Sequence, residues 1–352
     1  MKKLLSTTAI AGLLISGSAF AQTTITGEMR INYKGVSQDI ATGTTPASGR
    51  GFGTEQQINF ANKGKLNVGG LDYAAGFSIE NDGAQVGTLF NENMYIDLTN
   101  ASSGTTLSFS QDHIQRSDSA RSNGVLFGYD PRDILDGIGT LAQDSSMLFQ
   151  QNIGAAPGQS YGLGVVQTLP GFGRVSANYV PENTQAGASE ANFAQNGEAE
   201  SAIELGFTGD LGVKGLDIYA FKHEEKRRMG QTKKREGENY GIKYTMGKAS
   251  AGYTRKEHIG SNTSVSQTEE IKENHYGVAY AVTPTLTVGA NMFKADGGGT
   301  TQDAKVTTLQ LGYNLGPVAL TAGIAKAENV RGGTVTSEDA DKIGFLRLLG
   351  AF

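Results

Sequence analysis

From residue 24 the chain alternates: Ile25, Met29, Ile31 and Tyr33 fall on odd positions, and Thr26, Glu28, Arg30, Asn32 and Lys34 on even ones. A period of two gives a strand with one apolar and one polar face. Residues 55–68 repeat the pattern, with Ile58, Phe60, Leu66 and Val68 set against Gln57, Asn59, Lys63, Lys65 and Asn67. In residues 71–82, Leu71, Tyr73, Ala75, Phe77 and Ile79 alternate with polar neighbours. Ile203/Leu205/Phe207, Tyr240/Ile242/Tyr244, Tyr276/Val278/Tyr280 and Leu309/Leu311/Tyr313 continue it. Helical spacing is nearly absent, so the reading is all-β.

The connections alternate as well. Short links fall at 69–70, 100–104, 169–173, 209–215, 247, 283–284 and 316–317. Longer polar links lie near 35–54, 83–90, 113–158, 183–198, 227–236, 259–271, 295–303 and 328–340. Fifteen connections imply about sixteen strands. Tight turns then gather at one end of the sheet and loops at the other, with both termini at the turn end. An even-stranded sheet with this asymmetry is expected to be a transmembrane antiparallel β-barrel. In lipid such a sheet must close, because an open edge would leave backbone groups unpaired. The apolar parity faces lipid and the polar parity faces a wet interior. Tyr33, Tyr73, Tyr179, Tyr240, Tyr244 and Tyr313 are candidates for the aromatic girdles, since the chain has no Trp.

Composition sharpens this picture at a few points. Length alone, 352 residues, suggests two soluble domains; the strand rhythm replaces them with one sheet. The 49 glycines have no collagen period. The absence of Cys removes disulfides and thiol chemistry. A net charge of −5 gives no basic footprint for nucleic acid. At the start, Lys2 and Lys3 precede a short apolar run through Ile10, Leu13, Leu14 and Ile15, and Ser18, Ala19, Phe20 and Ala21 form an A-x-A ending. Residues 1–21 therefore read as a signal peptide cleaved between Ala21 and Gln22. Its removal takes two lysines and no acid, moving the charge from −5 to −7. Residues 22–352 form the barrel.

With these features in place, the chain resembles the general trimeric porins of Gram-negative bacteria. The resemblance rests on TITGEMRINYKG (24–35), GGLDYAAGFSIEND (69–82), NENMYIDLTNASSGTTLSFSQD (91–112) and YGLGVVQTLPGFGRVSANY (161–179). It implies a sixteen-stranded outer-membrane barrel, a homotrimer, whose third extracellular loop bends into the pore. It implies passive diffusion of ions and small hydrophilic solutes, with no cofactor and no nucleic-acid partner. Phe352 matches the terminal aromatic that the barrel-assembly machinery recognises in that family. The alternative is an adhesin or structural barrel with no open channel. The last strand departs from the pattern: Gly344, Leu346, Leu348 and Gly350 share one face, and Ile343, Phe345 and Leu349 the other. Both faces are apolar, which leaves its register open.

Residues 113–158 are the longest link and carry many apolar side chains, from Val125 to Phe149, that need somewhere to pack. In the resembling family this loop narrows the channel. Within it, YDPRDILDGIGT (129–140) reads as a short helical turn capped by Asp130 ahead of Pro131. Its charges are Arg116, Asp118, Arg121, Asp130, Arg132, Asp133, Asp136 and Asp144. Facing them from the wall are Arg30, at mid-strand, and the lumen-parity cations Lys63, Lys65, Arg174 and Lys243. Opposed charges at a narrow section set a transverse field that selects solutes. The acidic loop and net charge weakly favour cations. Residues 222–238 mix seven cations with four glutamates and read as a solvated extracellular loop or as a contact for lipopolysaccharide phosphates. The four histidines show no metal-ligand spacing, and no hydrolase or phosphate-loop motif occurs. Neither a metal site nor an enzyme is expected.

Overall fold

The computed structural model describes residues 22–39, 49–66, 68–82, 90–111, 134, 161–180, 201–225, 235–259, 270–296, 303–328 and 340–352. They form β1 (Gln22–Asp39), β2 (Gly49–Lys65), β3 (Leu71–Asp82), β4 (Phe90–Asn100), β5 (Thr105–Gln111) and β6 (Tyr161–Leu169). Next come β7 (Gly173–Val180), β8 (Ala202–Gly209), β9 (Leu216–Glu225), β10 (Arg235–Met246) and β11 (Ala249–Ile259). The barrel is completed by β12 (Glu270–Ala281), β13 (Leu286–Ala295), β14 (Ala304–Asn314), β15 (Val318–Glu328) and β16 (Ala340–Ala351). Each strand pairs antiparallel with its sequence neighbours, and β1 pairs with β16 to close the ring. The sixteen strands and the alternation of tight turns with long links agree with the sequence reading.

Tight turns are built where the backbone allows them. Between β2 and β3, Gly69 and Gly70 both take φ 66°, a left-handed conformation that a Cβ penalises, and Leu66 N–H donates to the Leu71 carbonyl at 2.8 Å. Closure extends to the last residue. Phe352 N–H donates to the Gly27 carbonyl at 3.0 Å, and Gly27 N–H donates to the Phe352 carbonyl at 2.9 Å. The Phe352 ring lies over Gly27, where any Cβ would collide with it.

Strand length departs from expectation. Spanning a bilayer needs about 9–11 residues, but β1 has 18 and β2 has 17. Their ladder continues to Val36↔Gly49, and β1 runs on against β16 to Asp39↔Ala340. Much of the predicted 35–54 link is therefore strand. Its Gly, Ser and Thr content resembles a loop, but every added ladder bond satisfies backbone groups, and the Tyr33 and Phe52 rings meet 5.0 Å apart across the pair.

Side chains sort by parity. Ile25, Ile96, Leu163, Ile203, Leu309 and Ile324 point outward and are exposed, as a lipid-facing surface requires. Ser78, Ser108, Asn178, Thr254, Thr308 and Gln310 lie on the opposite face and are buried. In β16, Leu346 and Leu348 are exposed while Ile343 and Phe345 are buried inside. Pairing of Leu348 with Ile31 on one side and Leu320 on the other resolves the open register.

Candidate functional site: the channel wall

The inner face of β1 presents Glu28, Arg30, Asn32, Lys34 and Val36 in alternate positions. Register brings Glu55 of β2 beside Arg30 and Arg347 of β16 beside Asn32. Arg30 forms ion pairs with both Glu28 and Glu55 and is only part-buried. The guanidinium, held between two carboxylates, keeps one orientation on the wall. Three cations and two acids thus form a strip along the wall, well away from the tight turn that follows β2. A charge strip in a low-dielectric wall focuses its field into the adjoining water.

The other predicted wall cations sit lower. Lys63 and Lys65 close β2, Arg174 is the second residue of β7, and Lys243 stands three residues before the end of β10. All four lie beside tight turns, at the turn-side mouth. Lys65 pairs with Asp72 at 3.1 Å and Lys243 with Asp217 at 3.2 Å. Arg30 is therefore separated in height from the cations grouped with it by sequence. Arg116, Asp118, Arg121, Asp130, Arg132, Asp133, Asp136 and Asp144 fall outside the described residues, as does Ala21; Gln22 is the first residue of β1.

Sequence reading missed the partners that complete the strip. Glu55 and Arg347 share its inward parity, but only the β1–β2 and β1–β16 registers bring them to Arg30 and Asn32. It also missed a set of buried polar groups on the inner face. Asn178 donates to Glu204 at 3.2 Å, and the Tyr219 hydroxyl donates to Thr254 at 3.0 Å. His275 and Glu273 meet at 2.9 Å with both side chains fully buried. The His275 ring stacks on Phe293 at 3.7 Å and 4°. Among the described residues, no group of three or more metal-ligating side chains has a geometry that would hold an ion.

One described residue belongs to the 113–158 link. Ile134 has helical backbone conformation; the rest of the turn read over 129–140 lies outside the described residues. It is 0% exposed and clusters with inward-facing residues of β1 and β13–β16. On the outer face near the loop ends, Lys222 pairs with Glu238 at 2.7 Å, Arg255 with Glu257, and Lys305 with Glu328 at 3.4 Å.

Comparison with known proteins agrees with this architecture. No curated protein matches the chain. Among solved structures, a five-substitution variant of the Rh. blastica porin aligns with TM-score 0.60 at 13% identity, covering 94% of this chain and 100% of its own. A triple mutant of the Rhodopseudomonas blastica porin aligns with TM-score 0.56 at 13% identity and the same coverage. These likenesses establish the fold. A family model described as Gram-negative porin matches residues 6–332. That match points to a channel rather than a catalyst and puts the protein in a Gram-negative outer membrane. The chain belongs to the Gram-negative porin family and is an outer-membrane porin, a water-filled channel for ions and small hydrophilic solutes.

Proposed function

We propose that selection in this passive channel occurs at the height of Arg30, where residues 113–158 narrow the lumen opposite the β1–β2–β16 strip. The observation that carries this reading is Arg30 fixed between Glu28 and Glu55 on the inner wall, with Lys34 and Arg347 alongside. Acidic residues Asp118, Asp130, Asp133, Asp136 and Asp144 would oppose that strip and complete a transverse field. Dipolar solutes align in such a field, whereas apolar ones must disrupt its ordered water. The cations Arg116, Arg121 and Arg132 would trim the loop's negative charge, leaving weak cation preference. Lys63, Lys65, Arg174 and Lys243 tune the turn-side mouth.

The finer assignments follow the same reading. Residues 1–21 act as the export signal, and the protein works as a homotrimer. Phe352 serves as the assembly signal for the barrel-assembly machinery, in keeping with its 72% exposure at the closing seam. The cations of 222–238 meet phosphates of lipopolysaccharide. No cofactor and no nucleic acid take part, and no catalytic step is assigned.

Purified protein added to a planar bilayer tests the central claim. Stepwise conductance increments with a measurable reversal potential in a salt gradient are expected. An electrically tight membrane at high protein dose would overturn it in favour of an adhesin or structural barrel.

A further inference from the structure

We infer that the outer wall at β15, β16, β1 and β2 holds a binding site for a phosphate-bearing acyl lipid, which in the loop-side leaflet is lipopolysaccharide. The inference rests on the outer-membrane reading above and goes beyond it, since the cations of 222–238 belong to β9, β10 and the link between them.

The outward face changes chemistry within one alternate position of each strand. From the loop end, β16 presents Lys342, Gly344, Leu346 and Leu348, and β15 presents Lys326, Ile324, Ala322 and Leu320. Beside them β1 presents Ser37, Gly35 and Tyr33, and β2 presents Arg50 and Phe52. Cations therefore begin where the apolar band ends, at the level where acyl tails give way to headgroups. The long loops of such barrels face the cell exterior, so this border belongs to the outer leaflet.

The cations are arranged against their own repulsion. Lys326 lies directly opposite Lys342 across β15–β16, and Lys294 directly opposite Lys305 across β13–β14. Like charges in opposed positions destabilise a sheet unless an anion joins them. Glu328 does this in part, pairing with Lys326 and with Lys305 at 3.4 Å. Asp296 and Asp303 stand exposed at the loop-side ends of β13 and β14. Among the described residues, Lys342 and Arg50 have no ion-pair partner, and both are exposed.

Below these cations the wall is hollow. Gly35 and Gly344 face each other across β1 and β16. A Cβ at Gly344 would meet no atom within 4 Å, and one at Gly35 would meet only the Arg50 Cβ at 3.9 Å. The bare patch opens into a groove of about 690 Å³ bounded by Tyr33, Leu309, Leu311, Ile324 and Leu346, with Ala322 among its lining. An acyl chain fills such a groove by apolar burial. Its phosphate then meets Lys326, Lys342 and Arg50 through charge-assisted hydrogen bonds. One molecule supplies both chemistries, in the order in which the wall presents them.

The test titrates lipid A, the phosphorylated acyl anchor of lipopolysaccharide, into the purified protein in neutral detergent, with native mass spectrometry as the readout. The triple variant Lys326→Gln, Lys342→Gln, Arg50→Gln should bind about tenfold more weakly than the parent. Gly344→Leu fills the groove and keeps every charge, and should bind about fivefold more weakly. Lys214→Gln, at a tight turn, should bind like the parent. Lipid A stripped of phosphate should bind the parent no better than intact lipid A binds the triple variant. Folding is checked by heat-modifiable migration on gels; if Gly344→Leu does not fold, the triple variant decides. Parent-like affinity in the folded triple variant, or in folded Gly344→Leu, overturns the site. Lipid bound to monomer but excluded from trimer gives the face to a second copy of the chain and also overturns it. A parent silent in planar bilayers removes the channel reading instead, and the lipid titration still judges the site.

Discussion

Along β1 and β16 the inner wall changes chemistry within a few residues. Toward the turns it carries Glu28, Arg30 and Arg347; toward the loops it carries Val36, Ile343 and Phe345, with Lys34 opposite Phe345 at the boundary. Both regions lie on the same face of the same strands, so parity cannot separate them. Height does. The lower strip meets water and holds its charges by ion pairing, whereas the upper patch meets another segment of the chain and is held by apolar burial. The inner face of this barrel is therefore two surfaces: a charged lining and an apolar seat that buries Ile134.

The largest effect should come from the apolar patch. Phe293→Ala removes a fully buried ring and should cost about 3–5 kcal/mol of folding stability. Urea unfolding in lipid vesicles, monitored by the loss of β-sheet circular dichroism, would measure it. Arg347→Ala in the charged strip should cost about 1 kcal/mol or less by the same measurement, as expected for part-exposed charges. Equal losses would erase the distinction between the two surfaces.

Next in size is the closing seam, which belongs to neither region and serves as a reference. Gly27→Leu forces the Phe352 ring aside and should destabilise the barrel by about 1–3 kcal/mol through overpacking. A folded fraction equal to the parent's after reconstitution at intermediate urea would contradict the seam geometry.

Arg30→Ala tests the strip as a filter. It leaves Glu28 and Glu55 without the guanidinium between them, so the cation-to-anion permeability ratio should rise about twofold to fivefold. The reversal potential in a potassium chloride gradient reads this directly. The shift should shrink at 1 M salt, where the screening length falls to about 3 Å. An unchanged reversal potential at low salt would remove Arg30 from the selective section. The smallest effect is expected for Lys63→Ala, because Lys63 stands at the turn-side mouth; a shift as large as that of Arg30→Ala would move the selective section there.

Much of the fold was legible because its determinants are local. Alternation of Ile25, Met29 and Ile31 with Glu28 and Arg30 assigns two faces whatever the rest of the chain does. Links such as Gly69–Gly70 mark turns through backbone freedom. The failures have a common cause. Residues 35–39 and 49–54 look like a polar link, and only pairing with each other and with β16 makes them strand. Lys63, Lys65, Arg174 and Lys243 share the inward parity of Arg30, but their distance from the turns places them at another level. Glu55 and Arg347 carried no local sign that they flank Arg30 and Asn32.

The sequence by itself determined the strand count, the two faces, the alternation of turns with loops and the mid-strand placement of Arg30. Each follows from a period of two and from residues that act over a few positions. Only the tertiary structure decided which charges meet, the register of β16 and the destination of Ile134. Those depend on bringing together residues up to hundreds of positions apart, such as Gly27 with Phe352 and Ile134 with Phe345. Such contacts arise from closing the ring, which no local pattern encodes.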